Sequence, residues 1–137
     1  MEIRRLAPAE WPLAWPVVAQ LRTRLDEAAF LSQVELQSRH GYELVAAFRD
    51  NRPIAVMGMR PVHTLARGLH LHIDDLVVDE TCRQSGIGQT LLDYAEADAR
   101  TRRMSALFLD ARPEAIPFYE KQRFAMHVAP LMRRGLD

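Results

Sequence analysis

Two rhythms of apolar positions run along this chain, and the places where one gives way to the other mark its elements. Residues 69–78, LHLHIDDLVV, alternate and then run together in Leu and Val, which predicts a buried strand. Further on, Leu91, Leu92, Ala95 and Ala99 recur at helical spacing and predict a helix from Ile87 to about Arg103. A polar break, Asp79-Glu80-Thr81, and a glycine loop, Arg83-Gln84-Ser85-Gly86-Ile87-Gly88, separate the two.

The chain upstream reads as a short edge strand over residues 2–6, then a helix beginning near Pro8. Trp11, Trp15, Val18 and Leu21 or Leu25 form its apolar face, with Pro12 and Pro16 in a first turn or at a kink. Asp26 caps a second helix that turns Phe30, Leu31 and Val34 inward and ends at His40-Gly41. Residues 42–48 and 53–59 pair as an antiparallel hairpin about Arg49-Asp50-Asn51-Arg52, with Gly58 marking a bulge or a close backbone approach. Residues 61–68 read as a connecting loop. After the long helix come a compact strand over residues 106–110, a helix carrying Phe118 and Tyr119, and one or two last strands within residues 124–134. A strand, two helices and then antiparallel strands do not make a doubly wound dinucleotide fold. The order predicts an α/β domain of the α+β type, a single unit over residues 1–137.

Composition narrows the function. The chain has 48% hydrophobic and 26% charged residues and a formal net charge of zero, so it carries no global electrostatic case for nucleic acid or a membrane surface. One cysteine, Cys82, allows no internal disulfide. No apolar run reaches membrane-spanning length and no signal-peptide core opens the chain, so a cytoplasmic setting is expected.

The chemistry gathers at the glycine loop. Two glycines two apart let backbone N–H groups converge without Cβ atoms in the way, at the positive end of a helix dipole. The following helix places Asp93, Glu96 and Asp98 early and Arg100, Arg102 and Arg103 late, yet its first turn holds Gln89 and Thr90 rather than acids. Its N-terminus is left for an anion, and the loop reads as a pyrophosphate site.

The pattern Arg-x-x-Gly-x-Gly after this strand, joined by Phe118-Tyr119-Glu120-Lys121 and then Phe124 after the small Ala115, resembles the GNAT family of N-acetyltransferases. The resemblance covers residues 69–124 and implies a mixed, mostly antiparallel sheet flanked by helices. It implies acetyl transfer from acetyl-CoA to a primary amine by direct attack in a ternary complex. Arg83, Gln84, Ser85, Gly86, Ile87, Gly88 and Gln89 would hold the pyrophosphate, and the backbone of Leu76, Val77 and Val78 would pair with the pantetheine arm where a bulge splays the strand. Tyr119 would protonate the departing thiolate; a phenol, with a reference pKa of about 10, is neutral at pH 7. Asp74, Asp75 or His72 would relieve the acceptor ammonium of its proton, His72 sharing a face with Asp74 if alternation holds. Arg112 stands where the family often has asparagine, and would reach phosphate instead; Arg123 stands where it often has glycine.

Two other readings stay open. One is a non-catalytic acyl-CoA-binding sensor. The other is a metal-dependent enzyme using His70, His72 and an aspartate. Cys82 lacks a neighbouring base and reads as a bystander. The acceptor is open among small amines, a protein lysine and a protein N-terminus, with Asp26, Glu27 and Glu35 as acids on its expected side. Trp11, Trp15 or an exposed last strand would serve a homodimer.

Overall fold

A computed structural model of the chain describes residues 1–136. Strand β1 (Glu2–Arg5) leads into a 3-10 helix (Pro8–Ala14), α1 (Trp15–Val18) and α2 (Glu27–Ser38). Strands β2 (Glu43–Arg49), β3 (Arg52–Thr64) and β4 (Gly68–Val78) follow, then α3 (Ile87–Thr101), β5 (Leu107–Leu109) and α4 (Ile116–Lys121). Among the described residues the sheet has five strands in the order β1-β2-β3-β4-β5. The first four form an antiparallel meander, and β5 joins β4 in parallel. The predicted mixed, mostly antiparallel sheet with flanking helices is the one observed.

Alternation along the strands divides the core between the two faces. On one, Met57, Met59, Leu71 and Ile73 pack with Leu91, Leu92 and Ala95 of α3. On the other, Val17, Val18, Phe30 and Val34 from α1 and α2 cover Tyr42, Leu44, Val56 and Val77. Leu91 is fully buried, a contribution of about 1.5–3 kcal/mol for a side chain of that size. The Asp26 cap forms as expected, its Oδ1 accepting from the Ala29 N–H at 2.7 Å. Asp50 and Asn51 both take positive φ, which gives the β2–β3 turn the twist a two-residue hairpin needs.

Three expectations are corrected. The first helix is mostly 3-10, because Pro12 lies inside it and removes a donor, leaving α1 only as Trp15–Val18. Residues 61–64 are strand rather than loop: Pro61 pairs with Leu71 and Thr64 with Gly68, so the β3–β4 connection shrinks to residues 65–67. Residues 124–134 form no strand. Phe124, Met126 and Val128 keep a strand's alternation, but β5 offers a three-residue edge and Pro130 interrupts the run. His127 packs on Phe108 while Met126, Val128, Leu131 and Met132 stay exposed.

Candidate active site

The site is made by a strand that loses its neighbour. β4 and β5 pair only from Leu71↔Leu107 to Ile73↔Leu109. Beyond Ile73, β4 stays bound to β3, with Leu76, Val77 and Val78 opposite Met57, Val56 and Ala55, but β5 has ended. Among the described residues, the edge of β4 that faced β5 therefore has no strand beside it from Asp74 to Val78. Arg83 Nε reaches the Val78 carbonyl at 3.3 Å, so one acceptor of that edge is touched by the loop itself.

The glycine loop follows β4 and leads into α3. Gln84 and Gly86 both have positive φ, 64° and 81°, and the chain winds from them into α3. Gly86 is the N-cap and supplies no side-chain cap, nor does the first turn carry an acid. The first-turn N–H groups of a helix have no intrahelical acceptor, so these point outward at the positive end of a dipole fifteen residues long. Nothing lies within 4 Å of where a Gly86 Cβ would be; its glycine answers the backbone angle and leaves the approach clear. Gly88 answers a different need, since a Cβ there would meet Phe118 Cζ at 3.2 Å, where α4 crosses the start of α3.

Tyr119 is brought to this place by α4, whose Pro117 sits harmlessly in the first turn. Its ring lies between Phe118 and Phe124, with centroids at 5.2 and 5.7 Å. Burial pushes the phenol above its ordinary range, and its hydroxyl bonds to no described side chain. With His72, Asp74 and Asp110 it lines a cleft of about 1270 Å³ along β5.

The acidic pair on β4 divides in two. Asp74 Oδ2 accepts from Arg60 Nε at 2.8 Å, while Oδ1 stands 3.8 Å from His72 Nε2. The expected common face of His72 and Asp74 is present. Asp110 approaches His72 Nε2 at 3.9 Å from the end of β5. Burial, with Arg60 and His70, lowers the His72 pKa more than Asp74 and Asp110 raise it, which favours the neutral imidazole, the form able to take a proton. Asp75 is occupied otherwise. Its Oδ1 accepts from Arg22 Nε and Nη2 at 2.9 and 2.7 Å, and its Oδ2 accepts from the Tyr42 hydroxyl at 2.6 Å. Burial, then the Asp75 charge, pushes that phenol well above its ordinary range.

His70 is buried, its Nδ1 at 3.0 Å from the Gly68 carbonyl and its ring edge-on to Phe108. Among the described residues no three His, Cys, Asp or Glu side chains are grouped to hold a metal ion. Arg112 precedes the 3-10 turn Pro113–Ala115 just past β5. Cys82 packs against the α3-side core.

A model of the family described as Acetyltransferase (GNAT) matches residues 1–124. The chain belongs to that family. Its sequence is 34% identical over 114 residues to the uncharacterized N-acetyltransferase YhdJ of Bacillus subtilis strain 168, covering 80% of each chain. It is 39% identical over 119 residues to a glucosamine 6-phosphate N-acetyltransferase of Trypanosoma brucei brucei, covering 79% of this chain and 80% of that one. In fold it matches a ribosomal-protein-alanine N-acetyltransferase from Brucella melitensis with a TM-score of 0.84, at 21% identity over 98% of this chain and all of the other. This GNAT chain is an acyltransferase, and its family generally takes acetyl-CoA as co-substrate.

Sequence reasoning passed over Arg22, Tyr42 and Arg60, which hold the β4 acids in place. Gly58 was the available signal. A Cβ on it would fall 1.9 Å from the Tyr42 oxygen and 2.6 Å from Asp75 Oδ2, so the glycine inside an apolar strand marks the crossing of those two side chains.

Proposed function

We propose that this GNAT enzyme transfers the acetyl group of acetyl-CoA to a primary amine by direct attack in a ternary complex. The observation that carries the reading is the β4 edge left without a neighbouring strand past Ile73, followed in the chain by an uncapped, acid-free α3 N-terminus. In this reading the backbone N–H groups of residues 83–89 bind the pyrophosphate, with Arg112 adding charge from beyond β5. Leu76, Val77 and Val78 offer main-chain partners to the pantetheine arm, as to an added strand. Neutral His72, backed by Asp74, accepts the proton of the acceptor ammonium. Tyr119, kept protonated by burial, gives a proton to the departing sulfur. Asp75, saturated by Arg22 and Tyr42, supports the strand.

The acceptor to try first is glucosamine 6-phosphate, the compound in the name of the Trypanosoma relative, followed by simple primary amines and peptides with a free N-terminus. Exposed Met126, Val128, Leu131 and Met132 support a homodimer, which sedimentation velocity would read directly. A cytoplasmic setting is part of the proposal; no helix among the described residues is long and apolar enough to cross a membrane.

The test is calorimetric titration with acetyl-CoA against the native chain and Gly86→Glu. Saturable binding that the glutamate abolishes is expected, since it puts a like charge at the phosphate position. No binding by a folded native protein overturns the cofactor assignment. Binding without turnover across the amine panel would favour a non-catalytic acyl-CoA sensor.

A further inference from the structure

Asp74 is the residue that β4 has in excess. Asp75 pairs with Gly58 and Ile73 with Met59, so Asp74 has no opposite number on β3. A bulge of this kind leaves the extra residue's main chain outside the ladder, and a carbonyl shielded from water needs a donor from elsewhere. The donor comes from 52 positions upstream. Arg22, in the connection between α1 and α2, places Nη2 3.0 Å from the Asp74 carbonyl oxygen. The same guanidinium grips Asp75 Oδ1 through Nε and Nη2, and Tyr42 holds the other oxygen. The planar fork thus spans both residues of the bulge. Two adjacent side chains that would alternate in a regular strand are turned by the bulge toward one side of the sheet. Arg22 and Arg60 offset the repulsion of their carboxylates.

We propose that Arg22 is a positioning residue of this enzyme: by holding the Asp74 carbonyl and the Asp75 carboxylate together, it fixes the bulge and so sets where the Asp74 carboxylate stands beside His72. Tyr42 is the second arm of the clamp, and Gly58 leaves room for it. The catalytic consequence rests on the reading of His72 and Asp74 as proton acceptor; the placement itself does not.

The experiment is an NMR titration of the His72 ring in the full chain, which needs neither acceptor nor turnover. The charged or titratable groups facing His72 are Asp74 and His70 on β4, Arg60 on β3 and Asp110 beyond β5. Arg22→Gln is expected to lower the His72 midpoint by roughly half a unit to one unit, as Asp74 leaves its position. Asp74→Asn lowers it as well, and Arg22→Gln added to Asp74→Asn lowers it no further. Loss of a nearby cation alone would raise the midpoint, and loss of stability alone would leave it unmoved; either result overturns the proposal. Should the glutamine variant fail to fold, Arg22→Lys keeps the charge but cannot span both residues, and a partial drop is expected from it. A lowered midpoint in Arg22→Gln together with native turnover by Asp74→Asn would uphold the positioning role and remove Asp74 from the proton-acceptor reading.

Discussion

Gly58→Ala is the smallest change that tests the packing under the acidic pair. The added methyl carbon would sit 1.9 Å from Tyr42 Oη, 2.5 Å from Tyr42 Cζ and 2.6 Å from Asp75 Oδ2. Tyr42 is 8% exposed and lies against the α1–α2 core, so its ring has little space to retreat into. Forcing one carbon into a packed site costs about 1–3 kcal/mol. The retreat also breaks the Tyr42–Asp75 hydrogen bond, and a bond to a charged group contributes about 1.5–3 kcal/mol. Alanine returns roughly 0.5–1 kcal/mol over glycine inside a strand. The balance is a loss of about 2–5 kcal/mol. Urea unfolding followed by circular dichroism would read it: with a slope near 2 kcal/mol/M, roughly usual for a small domain, the midpoint falls by about 1–2.5 M. Tyr42→Phe loses the same hydrogen bond, so the double variant should cost clearly less than the two singles summed. A midpoint within about 0.3 M of native for Gly58→Ala would show that the crossing is looser than described and refute the steric argument.

Tyr119→Phe should lower kcat by roughly 10²-fold or more while the acetyl-CoA KM stays within about twofold, because the ring packing survives and only the proton donor is lost; equal turnover by both proteins would remove Tyr119 from the mechanism. Asp98 is partly buried, which raises its pKa, but hydrogen bonds from Arg102 and Arg5 outweigh this and hold it below the ordinary 3.8. Its stabilising effect is therefore full above that ordinary value and lost as pH falls through the folded one. The urea-midpoint gap between the native chain and Asp98→Asn should shrink from about pH 6 to pH 3, and a constant gap would contradict the linkage. Asp26→Ala should cost about 1 kcal/mol by leaving the Ala29 N–H uncapped, and Asp26→Ser should restore most of it; an unchanged melting temperature in the alanine variant would show that α2 is held by Phe30 and Val34 alone.

The glycine loop and the helix after it were legible in the sequence because their signals are local. Positive φ at Gly86, the acid-free first turn and the apolar stripe of α3 each depend on residues within a few positions of one another. The same holds for the Asp26 cap and the Asp50-Asn51 turn. The motif with Tyr119 was legible through family resemblance, which carries long-range placement that periodicity does not. The extent of β3 past Pro61 was not visible, since proline there is tolerated only in the particular register with β4. The strand pattern of residues 124–128 misled for the reverse reason: alternation gives a strand its faces, but the ladder must come from a neighbour, and β5 is too short to supply it. The partners of Asp74 and Asp75 were likewise undecided in the chain, where the two are adjacent and chemically alike. Tertiary structure decided them, by bringing Arg22 and Tyr42 to Asp75 and Arg60 to Asp74. A side chain's charge and reach are written in the sequence, but its partners are set by which distant segments the sheet and helices bring beside it.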